Sequence, residues 1–239
     1  MLVVHEVHHV AGRRAEAFAE LYRDGWAAAL ARGDDARLLW FLEQAHGSGP
    51  SYTFVSLTAV RSLPALGELH ERVRDGDLRS WQAEVDALRH DAAAKVLVPT
   101  SFSPLQEIDL GAIPAATEPA RRGTLPLFME DTAWPHPGRL DDYLERASSL
   151  YVRTLEQAAE TGMNILELVA AFTPLFGAGP EREVVLWQRL ARPELLAPLL
   201  SREVTAEYRA PGTWMHDALE VRDRWESRLL RVAPWSPLD

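Results

Sequence analysis

Three observations predict an α+β fold built from two fused copies of one unit, with their antiparallel sheets packed face to face as a barrel. The chain carries an ordered internal repeat, both copies show the same rhythm of strands and helices, and the composition is that of a globular domain. The repeat is the strongest of the three. HGSGP at 46–50 returns as FGAGP at 176–180, and the block from Trp81 to Ser103-Pro104-Leu105 returns without a gap from Trp214 to Ser236-Pro237-Leu238. Glu6 pairs with Glu130, Gly12-Arg13 with Gly138-Arg139, Gly33 with Gly162 and Pro64 with Pro193, all in the same order. The domains are therefore residues 1–105 and 124–239, with 106–123, rich in Pro, Gly and Ala, as a linker.

Within the first copy each element has a local reason. Residues 3–10 are a β-branched and histidine run, hence a strand. From Gly12 to Ala31 the positions Phe18, Leu21, Tyr22, Trp26, Ala29 and Leu30 keep helical spacing, and Gly33 is a helix stop. Residues 38–45 and 52–60 read as two strands around the turn HGSGPS, whose glycines allow positive φ and whose proline bars helix. Pro64 opens a second helical region, as Pro193 does in the other copy. That region breaks near Gly76 and resumes from Trp81 to Ala94, and residues 95–102 close the unit as a strand. The order β-α-β-β-α-β is the ferredoxin-like unit. A four-stranded sheet with helices on one face leaves the other bare, and two copies can cover each other.

Composition narrows the function. The chain has 239 residues, 47% hydrophobic and 25% charged. With 25 Lys+Arg against 35 Asp+Glu the net charge is −10, which argues against nucleic acid or a membrane as partner, since both favour a basic surface. There is no cysteine, so disulfides, thiolate metal sites and cysteine nucleophiles are excluded. Lys95 is the one lysine. MLVVHEVHH lacks the basic start and apolar run of a signal peptide. Residues 165–180 are interrupted by Glu167 and too short in apolar residues to span a bilayer. A cytoplasmic protein is the expectation.

LFMEDTAWPHPGRLDDYLE and FGAGPEREVVLWQRL resemble the NIPSNAP family of the dimeric α+β barrel superfamily. The features shared are an acidic residue in the first strand, a Pro-Gly-Arg-Leu helix start, and a Gly-rich turn before a strand ending in Leu-Trp. The first copy departs from this with Ala11-Gly12 where Pro137-Gly138 stands in the second. The superfamily holds cofactor-independent monooxygenases, polyketide cyclases, lactone isomerases and haem enzymes. The resemblance thus implies a ligand pocket in or beside the barrel and leaves the reaction open. Haem would have only His136 or His216 as its ligand in the second copy.

Comparison of the copies supplies the candidate site. Aligned on Glu6 and Glu130, His5 falls on Met129, His8 on Thr132, His9 on Ala133 and His46 on Phe176, so the titrating groups gather in the first copy. Alternation puts Glu6 and His8 on one face of the strand, which we assign to the barrel interior. A buried histidine beside a carboxylate can move a proton near neutral pH. His8 is the candidate base or ligand, Glu6 its partner, and His46 closes the pocket. Trp40, Tyr52 and Phe54, with His5 and His9, would bind a mostly apolar small molecule. The expected function is a cofactor-independent enzyme of proton transfer, isomerisation, cyclisation or oxygenation. The alternatives are a non-catalytic ligand-binding or assembly protein and an enzyme with a divalent metal on Glu6, His8 and His46. A homodimer is left open. Of the tryptophans, Trp26, Trp81, Trp187, Trp214 and Trp225 read as core. HGSGPSY reads as a hairpin turn rather than an anion site, with Ser48 no nucleophile.

Overall fold

In a computed structural model, eight strands close into one ring in the order β1-β3-β2-β8-β5-β7-β6-β4, with β4 returning to β1. The structure describes residues 1–118, 120–177, 182–201, 203 and 205–239; Ala178, Gly179 and Pro180 of the second Gly-rich turn, and Glu181 after it, lie outside these. In chain order the first repeat holds β1 (Leu2–Val10), α1 (Ala15–Leu21), a π-helical turn (Tyr22–Ala27), α2 (Ala28–Leu30), β2 (Ala36–Gln44), β3 (Thr53–Val60), α3 (Leu63–Arg74), α4 (Arg79–Asp86) and β4 (Arg89–Pro99). The second holds β5 (Leu127–Pro135), α5 (Leu140–Arg146), a π-helical turn (Ala147–Tyr151), α6 (Val152–Glu160), β6 (Leu166–Phe176), β7 (Val184–Leu190), α7 (Leu196–Ser201), α8 (Trp214–Asp217) and β8 (Arg222–Val232). Each repeat contributes four antiparallel strands in equivalent order, 4-1-3-2 and 8-5-7-6. The two sheets join edge to edge through Leu42–Gln44 with Leu230–Val232, and through Val96–Pro99 with Phe172–Phe176.

One expected boundary is corrected. The helix read as Trp81–Ala94 stops at Asp86, and the strand read as 95–102 already begins at Arg89. Ala92, Ala93 and Ala94 favour helix in isolation, but here their backbones pair with His8, Val7 and Glu6 of β1. Tertiary pairing outweighs a propensity of a few tenths of a kcal/mol per residue.

The barrel interior is packed by Trp40, Phe128 and Trp187, whose ring centroids lie 5.5–6.1 Å apart. Leu110 and Ile113, from the connection between the repeats, are buried against the same cluster. A separate core fills the space between the first sheet and its helices, around Phe18, Tyr22, Trp26, Phe41 and Phe54. Its counterpart in the second repeat surrounds Tyr143, Ala147 and Tyr151.

The π-helical turn of the first repeat is held by its neighbour. The Trp81 indole lies against Tyr22 and stacks on Trp26, and its N–H donates to the Leu21 carbonyl at 2.9 Å. A Cβ added at Gly25 would overlap that indole. Gly25→Ala is therefore expected to destabilise by about 1–3 kcal/mol, the usual cost of overpacking. Urea unfolding checks this, and a loss under about 0.5 kcal/mol, the range of a neutral surface change, would contradict it.

Candidate functional site

The two faces of β1 are the reverse of the expectation. Val3 and Val7 belong to the barrel interior, whereas Leu2 and Val10 pack with the helices. Glu6 and His8 share the second face, so they lie between the sheet and the helices, not inside the barrel. The His8 ring sits 5.2 Å from Phe18 and 5.3 Å from Tyr22, both on the first helical segment.

There the polar groups form one line. Arg89 Nη1 donates to His8 Nδ1 at 2.8 Å. Since a guanidinium cannot accept, His8 Nδ1 carries no proton and its proton sits on Nε2. That nitrogen faces the Tyr22 hydroxyl at 2.9 Å, and the hydroxyl donates onward to Glu6 Oε2 at 3.4 Å. Ser56 Oγ donates to the same oxygen at 3.2 Å. Burial, then the charge of Arg89, pushes the His8 imidazole down to about 3. It is neutral throughout the physiological range. Burial pushes the Glu6 carboxyl up, against the hydrogen bond from Ser56 and the charge of Arg89. Burial also raises Tyr22 well above an ordinary phenol, and the Glu6 charge adds to it. The line has one direction, from Arg89 through His8 and Tyr22 to Glu6, with each donor meeting an acceptor and the carboxyl group at its end. His8 is thus a donor to Tyr22 rather than a free base, and the carboxylate is the group tuned toward neutrality.

Beside this line the sheet is uncovered. Opposite His8 and Glu6 on β4 stand Ala92 and Ala94. Directly opposed residues share a face, and both alanines are exposed. Glu6 itself keeps 22% of its side chain accessible. An open groove of about 550 Å³ runs between α1 and α4, lined by Ala17, Glu20, Leu21, Glu84 and Leu88 and by none of Glu6, His8, Tyr22 and Arg89.

The other expected residues do not assemble here. His46 is exposed in the turn after β2, while His8 is fully buried. Among the described residues no three of His, Asp and Glu stand close enough to hold a metal ion, so the set Glu6, His8 and His46 does not converge. Trp40 faces the barrel interior, across the sheet from His8. Tyr52 is exposed, with φ +60°, at the end of the turn. Phe54 does belong to the core around Phe18 that encloses His8. His5 lies inside the barrel, where its Nε2 meets Glu130 Oε2 at 3.0 Å. His9 bonds Thr53 Oγ1 at 3.2 Å at the end of the strand. Ser48 Oγ donates to the carbonyls of Ala45 and Leu229, tying the turn to β8.

The strand registers also correct the comparison of the copies. Trp40 follows a bulge and sits opposite Leu57, and Ala170 follows one and sits opposite Trp187. On the neighbouring strands His5 faces Leu57 and Glu130 faces Trp187. His5 therefore corresponds to Glu130, and Glu6 to Asp131. The alignment on two glutamates was one residue out, and a one-residue slip in a strand exchanges its faces. With the register corrected, both repeats carry an acid (Glu6, Asp131), a tryptophan (Trp81, Trp214) and an arginine at the start of the last strand (Arg89, Arg222), while Ala147 stands at the place of Tyr22 and Tyr151 at that of Trp26. The second repeat is not devoid of titrating groups. Asp131 Oδ2 accepts from Gln188 at 2.9 Å and Oδ1 from Ser227 at 2.5 Å. Burial pushes the Asp131 carboxyl up and the Tyr143 phenol up to about 12. Arg89 and Arg222 are identical in the ungapped block that begins at the two tryptophans, which is the signal that marks them. Trp225, read as core, is 45% exposed.

No family profile matches the chain, and no curated protein does. Solved structures do match. A candidate monooxygenase from Lactobacillus acidophilus superposes with a TM-score of 0.55 at 10% identity, over 100% of this chain and 99% of that one. An anthrone oxidase-like protein does so with a TM-score of 0.58 at 9% identity, over 97% and 91%. A NIPSNAP family protein from Agrobacterium tumefaciens matches 44% of this chain and 98% of its own, at 19% identity and a TM-score of 0.37. At the identities of the first two the likeness is one of fold. The architecture is an α+β barrel of eight antiparallel strands, closed within a single chain from two ferredoxin-like repeats. Among the described residues no helix is long and apolar enough to cross a membrane.

Proposed function

We propose that the chain is an enzyme that takes a proton from a mostly apolar small molecule, without an organic cofactor, at the helix-side site of the first repeat. The line from Arg89 through His8 and Tyr22 to Glu6, beside the bare alanines of β4, carries this reading. Glu6 is the base, with a carboxyl raised toward the working range that general-base catalysis needs. Tyr22 holds the received proton's hydrogen bond, and His8 and Arg89 are positioning residues behind it. Ala92 and Ala94 leave space for a flat ring against the sheet.

The names carried by two proteins of the same fold choose the first substrate to try: anthrone, with dioxygen as co-reactant. Glu6 would remove one methylene proton, and the carbanion's electron pair would reduce dioxygen as a C–O bond forms. With the proton returned, the product is a hydroperoxide. Loss of water, taking the second methylene hydrogen, breaks the O–O bond and leaves anthraquinone. One anthrone and one O₂ thus give one quinone and one H₂O.

Two measurements separate the steps. Deuterium exchange of the anthrone methylene under nitrogen reads proton removal alone, and oxygen uptake in air reads the whole reaction. Glu6→Gln is expected to slow exchange on the order of 10²-fold or more, the usual contribution of a general base. Tyr22→Phe should slow it less, and the wild-type rate should rise with pH as Glu6 ionises. Exchange and uptake no faster than in buffer would overturn the reading. Equal exchange rates in Glu6→Gln and wild type would remove Glu6 from it.

A further inference from the structure

We infer that the second repeat holds a binding site for a small aromatic oxyanion, such as an aromatic carboxylate, received by the guanidinium of Arg222 between two indoles. Arg222 is 6% exposed, and its Nε and Nη1 are buried without a hydrogen-bond partner among the described residues. Its equivalent Arg89 is satisfied: Nε and Nη2 donate to Asp86 Oδ1 at 3.0 and 2.5 Å, and Nη1 to His8. Both partners are lost in the second repeat. At the place of Asp86 stands Leu219, by the offset of the Trp81 and Trp214 block, and at the place of His8 stands Ala133. The arginine has been kept while the two positions that its equivalent bonds have become apolar; its remaining polar neighbours are the Tyr143 hydroxyl, which accepts from it, and the Asp131 carboxylate.

Buried N–H groups left without an acceptor cost free energy, so an acceptor supplied from outside for Nε and Nη1 is favoured. The surroundings say what shape it has. The guanidinium carbon lies 4.4 Å from the Trp225 ring centre and 5.7 Å from that of Trp214. Guanidinium N–H groups donate in the plane of the group, so an acceptor for Nε and Nη1 arrives edge-on, beside the two indoles. A flat aromatic acid does so and continues the same stack. Asp131 lies close enough for its charge to act on the guanidinium but makes no hydrogen bond to Nε or Nη1, its oxygens accepting from Gln188 and Ser227. Trp225 is 45% exposed and stands where Ala92 stands in the first repeat. It is the movable wall of the site, and its fluorescence is the reporter.

Benzoate is the probe. Titration of the full chain is expected to change tryptophan fluorescence saturably and to raise the melting temperature, because a ligand that binds only the folded state stabilises it. Chloride at equal ionic strength, which cannot continue the stack, should do less. Arg222→Met should weaken benzoate binding at least about 10-fold, since a charge-assisted hydrogen bond is among the strongest polar contacts. Glu6→Gln, confined to the first repeat, should bind like wild type. If Arg222→Met does not fold, Trp225→Ala at its exposed position serves instead, with several-fold weaker binding read by calorimetry. Absence of saturable binding by wild type overturns the site. So does wild-type affinity in Arg222→Met, or in Trp225→Ala where that variant stands in, and so does an equal loss in Glu6→Gln. These outcomes do not depend on whether Glu6 removes a proton from anthrone.

Discussion

Trp187→Ala is expected to cost about 3–5 kcal/mol of folding stability, the range for truncating a large aromatic in a closed core. Against a typical total of about 5–15 kcal/mol, that loss brings the protein near the edge of unfolding. Trp187 is fully buried at the middle of β7 and meets Trp40 and Phe128 inside the barrel. Its ladder partners are Glu130 on β5 and Ala170 on β6. The indole N–H has no hydrogen-bond partner among the described residues, so the loss is one of packing, and a ring of hydrogen-bonded strands cannot close around the void. Trp225→Ala makes the control. That side chain is 45% exposed and lies over the Arg222 guanidinium, so its removal should cost at most about 1–2 kcal/mol, the worth of a cation–π contact. A loss below about 1 kcal/mol for Trp187→Ala would show that the barrel relaxes as an open sandwich would.

The fold was legible because the repeat is written in positions that have few substitutes. Gly162, with φ +67°, ends its helix in a conformation that glycine adopts readily, and Trp81 and Trp214 each lie against the tyrosine of a π-helical turn. Such anchors set the order of elements and the pairing of the halves. They do not set the register of a strand between them, since the connections differ in length by a residue or two from one half to the other. Matching Glu6 to Glu130 was chemically natural and one place wrong, and with a side-chain period of two this turned Glu6 and His8 to the other face. The neutrality of His8 was not legible either. It comes first from burial under the helices and then from Arg89, which stands 81 residues away and arrives only when β4 pairs with β1. The same block of sequence did hold the more useful sign, the arginines eight residues beyond each tryptophan. Their difference in partners, Asp86 and His8 on one side and Leu219 and Ala133 on the other, separates a filled line from an open cation.

Acid should expose the pair that crosses the barrel. Glu130 Oε2 meets His5 Nε2 at 3.0 Å, and Oε1 accepts from Arg228 at 3.0 Å. Since His5 and Glu130 are equivalent positions of the two repeats, the contact joins the halves at their pseudo-twofold axis. Burial alone would raise the Glu130 carboxyl, but the charge and hydrogen bond of His5, followed by Arg228 and Lys95, outweigh it and hold the group down at about 2 instead of 4.5. A carboxyl lower in the folded chain than in the unfolded one stabilises above the unfolded value. That stabilisation disappears as pH falls through the folded one. Here the window runs from about pH 4.5 to about 2, and a difference of about 2.5 units corresponds to about 3 kcal/mol. Glu6 and Asp131 act in the opposite sense, because burial raises both and protonation relieves them. The raw acid titration of stability therefore mixes two signs, and the difference between wild type and Glu130→Gln isolates the one of interest. At pH 7 the variant should be less stable by about 3 kcal/mol, as His5 and Arg228 lose the charge they share. By pH 2 most of that gap should have closed, read from urea midpoints taken at steps of pH. A gap of the same size at both ends would mean that Glu130 is held by shape alone and that its charge does nothing for the closure of the barrel.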